Sequence, residues 1–405
     1  MKILVMSWRN LWRNKRRTLI TVSSIFFGVI LSSLMSSMQE GSYTNMIKNV
    51  VNFYAGFIQV QNEDYWEDKS INHSFILDSA LQVQLGQFEE ITGIIPRLES
   101  FALASSGANT KGAMVMGIDP EREAGMTSVD AKIIEGKYLK NGDDGVLIGY
   151  ELAAKLKLSA GDTVVLFGQG YHGVTAAGKF PVRGLFKQSN PNLNRQLVYM
   201  EIQSAQSFYA AEDILTSLIL EVKNNDIMKK VLPKIREKIN SPYRVMSWEE
   251  MFPTILQQIE SDRSSAFVMK LILYIVIMFG IFGTVMMMIS ERKKEFGVMM
   301  ALGMQRFKLA ITVFIETLWI GLLGVVAGFL GSMPVVAYFF YNPIPLSGQG
   351  AEWMADLGFE PYMFFAWEPS VFMYQMLAIM IMTCFISIFP FVRIVRLSEI
   401  KALKG

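Results

Sequence analysis

The sequence predicts an α-helical membrane protein with four transmembrane helices and a large α+β domain inserted between spans one and two. Three observations lead there. Runs of about twenty mostly apolar residues, the length that crosses a hydrocarbon core, stand at 18–40, 266–290, 309–340 and 371–392. Residues 41–265, between the first two runs, mix strand-like and helix-like patterns and exceed the size at which a chain buries its own core. Composition agrees: 51% of the 405 residues are hydrophobic and only 18% are charged, against about 25% charged in soluble domains.

Residues 1–17 come first. Leu4, Trp8, Leu11 and Trp12 fall on one helical face and Arg9, Arg13 and Arg16 on another, as suits a helix in the headgroup region; a plain basic flank that sets topology has the same composition. Span one, 18–40, has no charge from Thr18 to Met38. A cleaved signal peptide has an apolar core of about 7–15 residues and a small-residue cleavage site, so a retained span is expected. In 41–265, strands are expected at Gly56–Val60, Ala113–Met116, Thr163–Phe167, Phe180–Phe186 and Ser217–Val222. Helices are expected at Glu151–Leu158 and Asp226–Ile239, the second capped by Asn225 or Asp226. Asn141–Gly145 and Gly161-Asp162 read as turns, as does Ala177–Phe180. Met46, Val50 and Tyr54 at one end, and Ile255, Leu256 and Ile259 at the other, recur at helical spacing. They fit either a paired stalk or ordinary domain helices.

Span two, 266–290, carries Lys270 near its start, where it can snorkel. The loop 291–308 follows. Span three, 309–340, holds Glu316, and span four, 371–392, holds Pro390 near its end. The loop 341–370 has Glu352, Asp356, Glu360 and Glu368 and no lysine or arginine, whereas 1–17, 291–308 and the tail 393–405 are rich in both. By the positive-inside rule these three segments face the cytoplasm and 41–265 lies outside.

No catalytic set is present. Metal ligands need a cluster, but His73, His172 and Cys384 stand far apart. Ala177–Phe180 lacks the remaining residues of a phosphate loop. A net charge of +2 without a basic domain argues against nucleic acid. The loop SERKKEFGVMMALGMQRFK (Ser290–Lys308) carries Phe296, Met299, Met300 and Leu302 between charges, with Gly303 placed to end a short helix. It is longer than a connector needs and suits insertion into a partner's groove. Gly321, Gly324, Gly328 and Gly331 fall on one face of span three, and Gly28 with Ser24 and Ser32 on one face of span one, where small residues let helices approach. Glu316 is a candidate for function because acids inside a span are rare, but it lies about two turns from the end of the span with no second buried charge to relay a proton, so a structural role, reaching the interface or pairing with a basic loop residue, is expected.

Several stretches together resemble one family. SWRNLWRNKRRTLITVSSIFFGVIL (Ser7–Leu31), SERKKEFGVMMALGMQRFKLAITVFIET (Ser290–Thr317), GLLGVVAGFLGS (Gly321–Ser332) and VRIVRLSEIKALKG (Val392–Gly405) are similar to the MacB/FtsX-like (type VII) ABC transporter permeases. The last departs from the family pattern in having Leu397-Ser398 where a proline is common. MGIDPEREAGMTSVDAKIIEGKYL (Met116–Leu139), VLIGYELAAKLKLSAGDTVVLF (Val146–Phe167) and FPVRGLFKQSNPNLNRQLVYMEIQSAQSFY (Phe180–Tyr209) resemble the lipoprotein-releasing permeases LolC and LolE.

The resemblance implies that the domain at 41–265 is periplasmic and that the chain pairs with a second permease copy or paralogue in the inner membrane. It also implies two copies of a separate cytoplasmic ABC ATPase. This chain would bind no cofactor, ATP and Mg belonging to the ATPase. Glu291, Arg292, Lys294, Glu295, Phe296, Met299, Leu302 and Gly303 would then meet the ATPase. Phe26, Ile30 and Leu34 of span one, with Met269, Leu273 and Ile277 of span two, would line a substrate cavity among membrane lipids. The implied substrate is a lipoprotein passed to a periplasmic carrier or adaptor. Export of antibiotics, peptides or other amphiphiles, and regulation of a periplasmic hydrolase, are the alternatives.

Overall fold

The computed structural model describes residues 2–13, 15–188, 190–356 and 359–397. The chain divides into two compact units: Met1–Thr44, Gln258–Pro345 and Tyr362–Gly405 in one, Asn45–Gln257 and Leu346–Pro361 in the other.

The first unit is built from helices α1 (Lys2–Arg13), α2 (Lys15–Val50), α3 (Pro253–Glu291), α4 (Lys293–Ala301), α5 (Arg306–Tyr341) and α6 (Pro369–Val395). Of these, α2, α3, α5 and α6 are long and apolar enough to cross a membrane. At 1.5 Å per residue, α2 with 36 residues and α3 with 39 run for about 54 and 58 Å, well beyond a hydrocarbon core of about 30 Å. The extra turns lie past residue 40 in α2 and before residue 266 in α3. Where both extensions still belong to this unit they meet: Arg263 lies 3.9 Å from Glu40 and 5.2 Å over the Tyr43 ring.

Glycines close the bundle. A Cβ on Gly324 would stand 2.6 Å from Ile25, one on Gly328 2.6 Å from Val29, and one on Gly331 2.7 Å from Phe26. One on Gly321 would meet Thr383 of α6 at 2.6 Å. The small stripe of α5 therefore packs on α2 and α6 of the same chain. The Tyr274 hydroxyl donates to Gln375, whose amide donates to Ser36 Oγ at 2.9 Å, fastening α3, α6 and α2 by polar bonds away from water.

The second unit carries a mixed sheet of ten strands: β1 (Ile58–Asn62), β2 (Ile91–Ser106), β3 (Asn109–Ile118), β4 (Ile133–Gly136), β5 (Val146–Gly149), β6 (Thr163–Gln169), β7 (Thr175–Phe186), β8 (Leu197–Glu201), β9 (Ser217–Val222) and β10 (Tyr243–Ser247). Their order is β10-β1-β9-β2-β3-β8-β5-β7-β4, with β6 paired to β2 and β7. The β3–β8 and β5–β7 pairs are parallel. Strands β5 and β8 are buried along their whole length, as expected where both faces are covered. One core gathers Leu98, Leu152, Val164 and Val198; another gathers Ile58, Leu218, Met228 and Trp248.

Local chemistry moves several expected boundaries. The segment Ala177–Phe180, expected as a turn, lies inside β7, with Gly178 opposite Leu166 of β6; the chain reverses instead at 170–174, where Gly170 N–H donates to the Val174 carbonyl at 2.7 Å. The helix Asn225–Lys238 is capped by Asn224, which accepts from Ile227 N–H at 2.9 Å, while Asn225 accepts from the Trp248 indole at 2.9 Å. Gly56 precedes β1 rather than starting it. Its φ of +66° breaks the chain direction, and a Cβ there would meet Ile219 at 2.2 Å.

The flanking stripes contribute side chains to the ectodomain. Ile47 and Val50 of α2, Ile255 of α3 and, beyond the end of α2, Tyr54 pack into the ectodomain core with Trp248 and Met251. A π-helical turn, Val51–Ala55, ends that approach. Arg97, fully buried, donates to the Tyr54 carbonyl and makes a two-pronged pair with Glu123 at 2.6 and 3.0 Å. The Tyr54 hydroxyl donates to Glu99 at 2.8 Å, and burial raises its pKa well above the usual tyrosine value.

Part of the loop expected at 341–370 belongs to this unit. Its helix Gln349–Asp356 packs on the helix Pro191–Gln196. Lys132 donates to Gln188 at 2.7 Å; burial pushes its pKa down to about 8 against the opposing pull of Glu360. In the tail, Ser398, Lys401 and Lys404 lie outside the described residues.

Candidate functional site

The charged loop between spans two and three folds into α4, and the residue just before that helix sets the geometry. Arg292 occupies the N-cap position of α4 and is 3% exposed. Its guanidinium donates to Glu316 of α5 at 2.7 Å and lies 3.4 Å from Glu295. Glu295 also accepts from Arg13 of α1 at 2.7 Å. Three helices thus meet through four charges. Glu316, the acid of span three, is a structural counter-ion there.

The apolar side chains of α4 divide. Phe296 and Met300 are buried among bundle residues such as Leu309 and Val313. Val298 and Leu302 are exposed, at 50% and 83%, and Met299 is half-buried. The surface expected from Phe296, Met299, Met300 and Leu302 is therefore corrected: a helix resting on a bundle must spend every third or fourth residue on that contact. Glu291 and Lys294 are exposed. Gly303, with φ +95°, ends the helix in a Schellman arrangement: its N–H donates to the Met300 carbonyl and that of Met304 to the Met299 carbonyl, each at 3.0 Å.

Helix α1 rests on α5. Ser7 Oγ donates to the Thr312 carbonyl at 3.1 Å, Leu11 is buried, and Trp8 meets Trp319 edge-on at 5.3 Å. Leu4 and Trp12 are exposed. No sequence pattern signalled the Arg13–Glu295 contact, which joins residues 282 apart.

The six residues expected round a cavity take different places in this chain. Phe26 and Ile30 pack against Gly331, and Ile277 fills the notch at Gly28, 3.1 Å from the position of its Cβ. Leu34 and Leu273 are half-buried, and Met269 is 62% exposed. Large side chains are drawn into the gaps that the glycines open. What α3 does leave uncovered is a face with Val268, Ile272, Val276 and Phe279.

The ectodomain has a concave surface of its own. Phe101, Leu103, Phe167 and Val174 are exposed around a cleft of about 630 Å³ on β2, β3 and β6. Among the described residues no group of three or more His, Cys, Asp or Glu is placed to hold a metal.

Residues 18–238 match the family model described as MacB-like periplasmic core domain, and residues 267–398 match that of the FtsX-like permease C-terminal region. The chain belongs to the MacB/FtsX-like family of ABC transporter permeases. The permease is 25% identical over 255 residues to the lipoprotein-releasing system transmembrane protein LolC of Xylella fastidiosa, covering 60% of each chain. It is 22% identical over 292 residues to the corresponding LolE of Haemophilus influenzae, covering 68% of this chain and 66% of that one. The permease thus spans about 60% of the length of the first of these relatives. Among solved structures, the periplasmic region of MacB from Actinobacillus actinomycetemcomitans aligns with 53% of this chain and 97% of its own, at 15% identity and a TM-score of 0.37.

Proposed function

We propose that this permease is the membrane subunit of an ATP-driven exporter that lifts lipoproteins from the outer leaflet of a bacterial inner membrane and passes them to a periplasmic carrier. In this reading α4 is a coupling helix for a separate cytoplasmic ABC ATPase, present in two copies, and both termini are cytoplasmic. A second permease, identical or paralogous, faces the uncovered side of α3. The single observation that carries the reading is the mounting of α4. Its charged start is bonded to α5 and α1, so a push on exposed Val298 and Leu302 moves bundle helices rather than a loose loop. The lengths of α2 and α3 supply the lever toward the ectodomain.

The energetics require such a drive. Drawing about fourteen acyl CH₂ groups from lipid costs about 11 kcal/mol, at about 0.8 kcal/mol each. Similarity to proteins named as lipoprotein-releasing supports this substrate class.

The test is ATP turnover by the permease and its ATPase in nanodiscs, with and without a triacylated lipoprotein. Stimulation that disappears in Val298→Asp is the expected result. An associated ATPase indifferent to lipoprotein favours export of another amphiphile or regulation of a periplasmic hydrolase, and absence of association refutes the permease–ATPase reading.

A further inference from the structure

Helix α4 is only one wall of a larger surface. Met6, Asn10 and Arg13 are four and three residues apart, and so share one face of α1. That face is fixed because the adjoining Ser7 and Leu11 are taken up by the bundle. Opposite stand Lys294, Val298 and Met299 of α4, and an open cleft of about 620 Å³ lies between the two helices, within the roughly 300–1,000 Å³ typical of binding pockets. Its chemistry is specific. Met6, Val298 and Met299 give apolar walls, while Arg13, Arg292 and Lys294 face a single carboxylate, Glu295. Glu316 balances Arg292 from the bundle side, which leaves Lys294 in excess, and the same end of the chain also exposes Arg9, Lys15 and Arg16.

We propose that α1 and α4 form a two-walled groove that takes an acidic, apolar-faced segment of the partner ATPase, with Arg13 as a docking residue; this rests on the reading that α4 meets the ATPase. The Arg13–Glu295 bridge is exchangeable. Both side chains are largely exposed, at 60% and 47%, and exposed bridges are weak, so a partner carboxylate can replace Glu295 on Arg13 with little loss. Complementary charge of this kind raises association rates and fixes register.

The experiment measures binding of the ATPase to the full permease in nanodiscs, for wild type, Asn10→Trp, Arg13→Glu and Val298→Asp. Asn10→Trp fills the cleft from the α1 side without adding charge, and Arg13→Gln serves as the milder charge change. The proposal expects Asn10→Trp and Arg13→Glu to weaken binding at least tenfold, and Arg13→Gln to reduce its salt dependence, in nanodiscs of pure phosphatidylcholine as in those containing phosphatidylglycerol. If Val298→Asp weakens binding and the α1 variants stay within twofold of wild type, the two-walled groove is refuted while α4 docking stands. If Val298→Asp is also silent, the reading of α4 fails with it. An Arg13→Glu effect confined to anionic nanodiscs assigns α1 to lipid headgroups and overturns the proposal. Unchanged thermal melting of each variant separates docking from folding.

Discussion

Arg292 shows how one residue can decide the use of a whole loop. It occupies the N-cap position of α4, lies over the Phe296 ring at 5.3 Å, and places its charge on Glu316 while almost hidden from solvent. Removing one member of such a pair strands the other. Glu316→Leu is therefore expected to destabilise the bundle by about 3–5 kcal/mol, whereas Arg292→Met with Glu316→Leu recovers most of that loss. Thermal unfolding of the wild type and both variants in detergent checks the order, and a double variant as unstable as the single one contradicts it. The sequence marked Glu316 as unusual, since a carboxylate inside an apolar run stands out. A basic loop residue was expected as its partner; that it is Arg292, 24 residues away, could not be read, because the distance closes only when α4 folds back against α5.

At the level of elements, the glycines of α5 act by what they leave out. A methyl group on Gly328 would stand 2.6 Å from Val29, inside any permitted contact, while Gly283 of α3 has nothing within 4 Å. The same substitution should thus have opposite effects. Gly328→Ala is expected to destabilise by about 1–3 kcal/mol through overpacking, and Gly283→Ala to stabilise by up to about 1 kcal/mol through helix propensity. Melting temperatures of both variants test this, and equal shifts would contradict the packing described. Spacing along the chain is enough to place Gly321, Gly324, Gly328 and Gly331 on one helical face, because helical periodicity is a local property. Which helix covers that face was not local, and the structure assigns it to α2 and α6.

For the whole molecule, the separation into two units with distinct cores has a thermodynamic consequence. The bundle core centres on residues such as Ile281 and Ile320, and the ectodomain cores on Leu98 and Trp248. Calorimetry of the full chain is expected to show two transitions. Arg97→Met, which leaves Glu123 buried without its cation, should lower only one of them, by a change of about 3–5 kcal/mol. Gly328→Ala should lower only the other, since distant sites with no shared partners act independently. A single transition moved by both variants would show that the units unfold as one.

The sequence by itself determined the four spans, the placing of the inserted domain, the strand at Ser217–Val222 and the glycine that ends α4. Each depends on hydropathy, alternation or backbone freedom within a few residues, and those forces act before any tertiary contact forms. It also carried the family, through motifs spread along the chain. The tertiary structure alone decided that Phe296 and Met300 face the bundle, that Phe26, Ile30 and Ile277 fill glycine notches, that α1 stands beside α4, and that Arg97 is sealed against Glu123. These contacts join residues tens to hundreds of positions apart. Nothing in local periodicity selects among the many partners that a charge or an apolar side chain could take; the packing of whole helices and strands does.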